Sequence, residues 1–281
     1  MTDKLFDVSG KCVAITGGAG VLCGEMARGL AARGAKVAVL DLNTQAAAAV
    51  CAQIESAGGV AVPVEVDVLK KESIQAAFAR ATDTLGAIDA LVNGAGGNRK
   101  QATCLPPETT FFGLDPDAIR WVFELNCMGT ILPSQVFGQA MAQAGRGVIV
   151  NISSMNAFRP LTRIAAYSAA KAAVSNFTQW LAVYMAQNHS PAIRVNAIAP
   201  GFFLTDQNRF LLTDEKTGEL TPRGRQIIAG TPMARFGQPA DLVARSCGCC
   251  LMPRDSSPAW SSPWTGGSTR TLESERISNF R

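Results

Sequence analysis

Short apolar runs alternate with helix-periodic stretches along most of this chain, and that alternation restricts the possible folds more than any other feature. Cys12–Thr16, Lys36–Leu40, Val60–Glu65, Ala90–Asn93, Val148–Ile152 and Ile193–Ile198 read as strands. Helical patterns separate them at Val21–Arg33, Thr44–Ala57, Glu72–Leu85, Pro116–Ala144 and Arg163–Gln187. Gly34 stops the first helix, Asn43 or Thr44 caps the second, and Asp115-Pro116 pairs an N-cap with a first-turn proline. Helices between successive strands return the chain to the same edge, so the strands run parallel. The expected fold is α/β, a doubly wound parallel sheet in a single domain over residues 1–243. Ligands in such sheets bind beyond the carboxyl ends of the strands.

Two stretches break the rhythm. Asn98–Gly113 is a polar, proline-containing loop, and Gly201–Gly237 is long enough to be a lid or a binding loop. From about Ala244 the character changes. Arg245–Arg281 holds Ser, Pro, Cys, Arg and Trp with no period, where a sheet of this kind wants one more helix and strand.

Composition excludes several classes. Hydrophobic residues make up 47% and charged residues 17%, which rules out disorder. A net charge of +4 without any Lys/Arg run gives no nucleic-acid footprint. No run of about 18 apolar residues exists to span a membrane. Met1-Thr-Asp-Lys-Leu-Phe-Asp7 lacks an apolar signal core, so a cytoplasmic location with reduced thiols is expected. The eight cysteines have no metal-ligand spacing, and no metal is expected. His189 is the only histidine, which disfavours a Ser-His-Asp hydrolase; it is expected at a solvated helix end.

Three motifs carry chemistry. Thr16-Gly-Gly-Ala-Gly-Val-Leu-Cys-Gly24 lies between the first strand and the first helix. Glycines there let the backbone approach a pyrophosphate, whose charge the helix N-terminus favours, so the sheet reads as Rossmann-type. Asp41 ends the second strand, where a carboxylate accepts from ribose hydroxyls and repels a 2′-phosphate. Neither Leu42 nor Asn43 supplies a cation for that phosphate, so NAD is expected over NADP. A simple helix cap is the other reading of Asp41. Tyr167-Ser-Ala-Ala-Lys171 places a phenol and an ammonium on one helix face. The ammonium is expected to lower the tyrosine pKa and so prepare proton transfer to or from a carbonyl oxygen.

Together these residues resemble the short-chain dehydrogenase/reductase family. Ser154, in Asn151-Ile-Ser-Ser154, precedes Tyr167 by thirteen positions and matches the family's catalytic Ser. Asn126, in Leu125-Asn-Cys-Met-Gly129, matches the Asn that holds a proton-relay water. Asp67 and Val68 match the adenine-contacting pair. Asn93-Gly-Ala-Gly96 matches the element after the fourth strand, with Gly94 where the family has Ala. Pro200-Gly-Phe-Phe-Leu-Thr205 matches the segment that holds the nicotinamide carboxamide. The resemblance covers about Gly10 to Val243. It implies that Asn126, Ser154, Tyr167 and Lys171 are catalytic. It also implies that Gly17, Gly20, Val21, Leu22, Asp41, Asp67, Val68, Asn93, Ala95, Gly96, Tyr167, Lys171, Pro200, Gly201 and Thr205 hold the cofactor. One departure stands out: with the Thr16 to Gly34-Ala35 spacing kept, Val21 and Cys23 occupy the places of the second and third glycines.

Within the family the chain is similar to the D-mannonate oxidoreductase (fructuronate reductase) branch, through Gly17–Gly24, Asn151–Thr162 and Ala199–Thr213. That resemblance implies a substrate pair of D-fructuronate and D-mannonate, and a site with a cation and amide or hydroxyl partners. Asn156, Arg159, Arg163, Gln207, Asn208 and Arg209 are the candidate substrate residues, with Asn98, Arg99 and Lys100 able to contribute. Phe202 and Phe203 are read as packing. Another polyol, a sugar or a 3-oxoacyl group remains open as substrate, as does dinucleotide binding without turnover. The family also implies a homo-oligomer, a dimer or tetramer, built on the helices holding Asn126 and Tyr167.

A shift of reading frame accounts for the tail. Join the last base of each codon to the first two of the next and choose synonymous codons. Ser246-Cys-Gly-Cys-Cys-Leu251 then becomes Leu-Trp-Leu-Leu-Ser, and Trp264-Thr-Gly-Gly-Ser-Thr269 becomes Asp-Gly-Gly-Phe-Asn. The stretch between permits Asp-Ala-Ser-Arg-Phe-Val-Thr-Gly-Val-Val-Val-Pro-Val, and Ser274 followed by Glu275 permits a stop. Residues 244–281 are therefore expected to be a frameshifted form of the family's closing helix and strand, with Arg245–Arg281 poorly packed and Cys247, Cys249 and Cys250 without a role. The coding sequence checks this directly: its codons should spell that ending in the shifted frame, and codons that do not would end the idea.

Overall fold

A computed structural model describes residues 7–159, 161–205, 208–214, 217–251 and 261–264. Strands β1 (Cys12–Thr16), β2 (Lys36–Asp41), β3 (Val60–Glu65), β4 (Ala90–Asn93), β5 (Gly147–Ile152), β6 (Ile193–Pro200) and β7 (Ser261–Trp264) form one sheet in the order β3-β2-β1-β4-β5-β6-β7. Every pairing is parallel. The order reverses between β1 and β4, which opens the crevice where such sheets bind ligands.

Both faces of the sheet are covered, so its central strands are apolar throughout rather than alternating. Every residue of β1 and β5 is buried. Val13 and Ile15 face α1 (Val21–Ala31) and α2 (Thr44–Ser56), packing with Met26, Leu30, Val50 and Ile54. Ala14 and Leu91 face the other side, where α3 (Lys71–Leu85) contributes Ile74, α5 (Gly129–Ala144) Phe137, and α6 (Ala165–Asn188) Leu181. Asn43 caps α2 by accepting from the Ala46 amide, and Asp115 caps α4 (Pro116–Phe123). His189 is exposed at the end of α6, edge-on to Tyr184.

The structure corrects the sequence reading in three places. Pro116–Ala144 is not one regular helix: a wide π turn, Glu124–Met128, separates α4 from α5. The Asn126 Nδ2 donates to the Val122 carbonyl at 2.7 Å, competing for the oxygen that a regular helix gives to its own backbone. Gly201–Gly237 is not structureless, since it holds α7 (Arg209–Leu212) and α8 (Pro222–Ala229). The third correction concerns the tail. Helix α9 (Val243–Leu251) runs through the expected domain end, and β7 adds to β6 with Ala197 opposite Ser261 and Pro200 opposite Trp264.

Part of the start of this tail packs against the sheet. Val243, Ser246 and Cys247 are buried, and Cys247 joins the core beside α1. Their i, i+3, i+4 spacing puts small side chains on one helix face, a stripe hidden in the sequence by the glycine and cysteines around it. The Cys249 carbonyl accepts from Arg194 and Asn196 of β6, both at 3.3 Å. Residues 252–260 and 265–281 lie outside the described residues, as do the side chains of 250, 251 and 261–264, and so does that part of the expectation. Cys247→Asp places an unpaired carboxylate in this core and is expected to cost about 3 kcal/mol or more in a urea melt. An unchanged midpoint would mean that α9 does not pack.

Candidate active site

The crevice between β1 and β4 is lined by backbone at close quarters. Gly17 has φ +63°, and a Cβ there would lie 2.8 Å from the Ala95 backbone, so only glycine fits. The Thr16 Oγ1 accepts from the amides of Gly94 (3.1 Å) and Ala95 (3.2 Å), tying the end of β4 to the glycine turn. Gly20 caps α1 without any side-chain acceptor, and no acid stands in the first turn. That leaves the positive helix end open to an anion. Asp41 accepts from the amides of Ala19 (3.0 Å) and Asn43 (3.0 Å), which aims its carboxylate along the turn. Asp67 caps its own loop: hydrogen bonding by the Leu69 amide, then Lys70, holds its carboxyl below the ordinary value against the opposing effect of burial. Val68 is buried against Gly129.

A second set of side chains meets under Gly96. A Cβ on Gly96 would collide with the Asn126 Oδ1 at 2.6 Å and touch the Lys171 Nζ at 3.4 Å. Asn126 is fully buried and spends its amide on the Gly97 carbonyl (2.7 Å) and the Val122 carbonyl. Lys171 is 4% exposed and donates to the Ile152 carbonyl at 2.7 Å, with its Nζ 5.6 Å from the Tyr167 ring centre. Ser154 stands close enough to Tyr167 for its hydroxyl to oppose the rise in the phenol's pKa. The four candidate catalytic residues thus come from β5, α6 and the π turn onto one spot. The Asn93 side chain faces inward, donating to Ser134 and Asn151, so any part it has in binding is through its main chain.

The electrostatics differ from the sequence expectation. Burial raises the Tyr167 pKa, opposed by the Ser154 hydrogen bond, rather than Lys171 lowering it. Burial pushes Lys171 down to about 8, with Cys23 and Cys127 acting the other way. Desolvation is the leading cause for both groups, and the lysine spends its hydrogen bond on Ile152.

The glycine turn, the open helix end, Asp41 and the close approach at Ala95 fit a dinucleotide. Gly17 and Gly20 lie in the turn and Val21 and Leu22 open α1 at this crevice, while Pro200 ends β6 and Gly201 and Thr205 follow it.

The candidate substrate residues divide. Asn156 is 9% exposed beside Ser154, whose Oγ accepts from the Asn156 amide. Asn208 is occupied with local bracing: it accepts from the Thr205 amide (2.9 Å) and donates to the Phe203 carbonyl (2.8 Å). Arg159 and Arg209 are exposed, and Gln207 lies outside the described residues. Arg99 stacks on Trp121 at 3.8 Å, Lys100 is exposed, and the Asn98 Oδ1 is a buried acceptor without a partner. Phe203 packs in the core, as expected. Arg163 is half-buried just before α6 and four positions from Tyr167. Sequence reasoning missed its neighbour, Arg223 in the first turn of α8. Burial, then the Arg163 charge, holds Arg223 below its ordinary pKa. Among the described residues no carboxylate pairs with either arginine. No sequence period marks Arg223, because α8 lies in a loop-like stretch.

Residues 11–216 match the family model for short chain dehydrogenase. An oxidoreductase of Bacillus subtilis (strain 168), named UxuB and uncharacterized, is 46% identical over 245 residues, 84% of this chain and 86% of its own length. The 5-keto-D-gluconate 5-reductase of Escherichia coli (strain K12) is 32% identical over 244 residues, 86% of this chain and 88% of its own. A crystal structure from Haemophilus influenza, provisionally named a D-mannonate oxidoreductase and containing bound NAD, superimposes with a TM-score of 0.85. It is 42% identical, and the match covers 95% of this chain and 98% of that one.

Lys171 carries its charge below about pH 8 and loses it above. If that charge helps hold a dinucleotide, NADH affinity measured by fluorescence should fall as pH rises from 7 to 9, by up to about tenfold per unit. Lys171→Met should bind weakly and give a flat profile; a wild-type profile that is already flat would remove Lys171 from the binding role.

Proposed function

The chain belongs to the short-chain dehydrogenase family, and on that premise we propose that it is an NAD-dependent oxidoreductase interconverting the ketone and alcohol of a sugar acid, D-fructuronate and D-mannonate being the pair. The observation that carries this reading is the meeting of Ser154, Tyr167, Lys171 and Asn126 beside a glycine-lined dinucleotide cradle. Bound NAD would supply the hydride acceptor, and NADH the donor. Tyr167 passes a proton to the substrate oxygen during reduction and takes it during oxidation. Ser154 holds that oxygen against the phenol. Lys171 holds ribose and, when turned from Ile152 toward the tyrosine, eases loss of its proton. Asn126 fixes the Gly97 backbone and supports a water path to solvent.

Asp41 supports NAD over NADP. Its carboxylate sits at the end of β2 with no neighbouring cation at Leu42 or Asn43, so a 2′-phosphate meets repulsion. The half-buried Arg163 and Arg223 support an acid substrate, because two guanidinium groups near each other, with no carboxylate paired to them among the described residues, are relieved by an anion. The Asn98 Oδ1 and Asn156 are polar partners for hydroxyls. The uncharacterized relative and the NAD-bound structure fit the same reading, as does a relative named for a keto-gluconate.

A homo-oligomer is part of the proposal. The outer faces of α5 and α6 form a groove lined by Gln135, Gln139, Phe177, Trp180 and Tyr184, with Trp180 and Tyr184 stacked at 5.1 Å and exposed. Among the described residues no helix is long and apolar enough to cross a membrane. The described cysteines are free thiols, in keeping with the cytoplasm. The frameshift reading of residues 244–281 is also kept: β7 falls where the shifted frame gives Val-Val-Val-Pro-Val, the apolar strand this position asks for.

NADH absorbance with D-fructuronate tests the reaction. Turnover with NADH should exceed that with NADPH by about tenfold or more, and Asp41→Ala should narrow the gap. Arg163→Met and Arg223→Met should each raise KM for the acid about tenfold or more while a neutral polyol is unaffected. No turnover with any sugar acid would overturn the substrate assignment.

A further inference from the structure

Cys23 lies in the first turn of α1 and is 4% exposed. Its thiol is pushed up to about 12 by burial, so it stays neutral and acts as a packing group. Its Sγ rests directly on Gly94: a Cβ built on Gly94 would overlap that sulfur outright. The same Cβ would sit 3.5 Å from the Cys23 Cβ, an ordinary contact, and 2.9 Å from the Thr16 carbonyl oxygen. The worst conflict is therefore with one atom. Position 23 is where the family pattern has glycine, and position 94, a glycine in this chain, is where it has a side chain. The two departures from the pattern thus face each other in space.

The contact lies at a junction. Gly94 and Ala95 are held from the other side by Thr16 Oγ1, and Gly17 abuts Ala95. Two residues on, Gly96 makes room for Asn126 and Lys171. Residues 94–96 are thus clamped between the glycine turn and the groups beside Tyr167.

We infer that Cys23 is a positioning residue: its sulfur fills the space a side chain at position 94 would take, and the fitted pair sets the seat of residues 94–96 against both the dinucleotide cradle and the catalytic groups. The inference rests on the proposed dinucleotide function for its binding readout. Its steric part stands without it.

The test is a double-mutant cycle of Gly94→Ala and Cys23→Ala, read by NADH binding, by kcat and KM, and by thermal unfolding. Gly94→Ala alone should weaken NADH binding by about tenfold or more and lower kcat, because small displacements at the reacting geometry are costly. Cys23→Ala alone should change binding only about threefold, and the double variant should return to within about fivefold of it, the remainder being the tight Thr16 oxygen. Should Gly94→Ala fail to fold, the double variant is expected to fold and bind. The inference is overturned if Gly94→Ala binds and turns over as wild type, or if the double variant is no better than Gly94→Ala. An effect on unfolding alone, with NADH binding and KM unmoved, would also overturn it by reducing the pair to ordinary packing. Wild-type protein that binds no dinucleotide would instead sink the proposed function, while the unfolding cycle would still report the steric coupling.

Discussion

The burial of Lys171 is the constraint on which the site depends. An ammonium at 4% exposure is costly, and among the described residues it donates to the Ile152 carbonyl alone. That acceptor is the last residue of β5, so the strand end fixes where the lysine points. Tyr167 is one turn earlier on α6 and so must face the same spot. Ser154 follows β5 by two residues and reaches the phenol from the other side. Burial raises one pKa and lowers the other, which keeps both groups neutral more readily than in water. The Lys171 shift brings that group toward neutral pH, whereas burial alone moves the Tyr167 phenol away from it, so the phenol depends on groups drawn close to it for proton transfer.

The surroundings are organised to keep that spot rigid. Asn93, Asn151, Ser134 and Thr178 hydrogen-bond in a chain across β4, β5, α5 and α6. A buried polar chain of this kind tolerates little relative movement of its members. Ser153 and Ser175 add a second link between β5 and α6. Asn126 then ties Gly97, four residues past β4, to the π turn, so both walls of the crevice are braced by protein contacts.

Much of this was legible in the sequence, for definable reasons. The central strands β1, β4 and β5 are nearly continuous apolar runs because both faces of the sheet are covered there, while β3 at the edge still reads through its β-branched residues. The glycine turn, Asp41, Tyr167 and Lys171 read directly because each residue type is tied to its chemistry by spacing. Four things did not read. The π turn leaves the apolar period intact, and only the reach of the Asn126 side chain to Val122 reveals it. Helix α9 uses Val243, Ser246 and Cys247 as its inner face, residues too small to stand out. Arg223 is brought to Arg163 by tertiary folding across some sixty residues of chain. The sign of the Tyr167 shift was missed for a similar reason: spacing gives proximity to Lys171, whereas desolvation, which wins, is a property of the folded whole.

The account's central claim is that Tyr167 transfers the proton while other groups hold the dinucleotide. Single-turnover oxidation of NADH by D-fructuronate in wild type and Tyr167→Phe, with NADH binding measured on the same preparations, tests it most directly. The phenylalanine variant should bind NADH within about threefold of wild type and lose about a hundredfold or more in rate, because only the transferable proton is removed. An undiminished rate, or a loss of binding as large as the loss of rate, would contradict it.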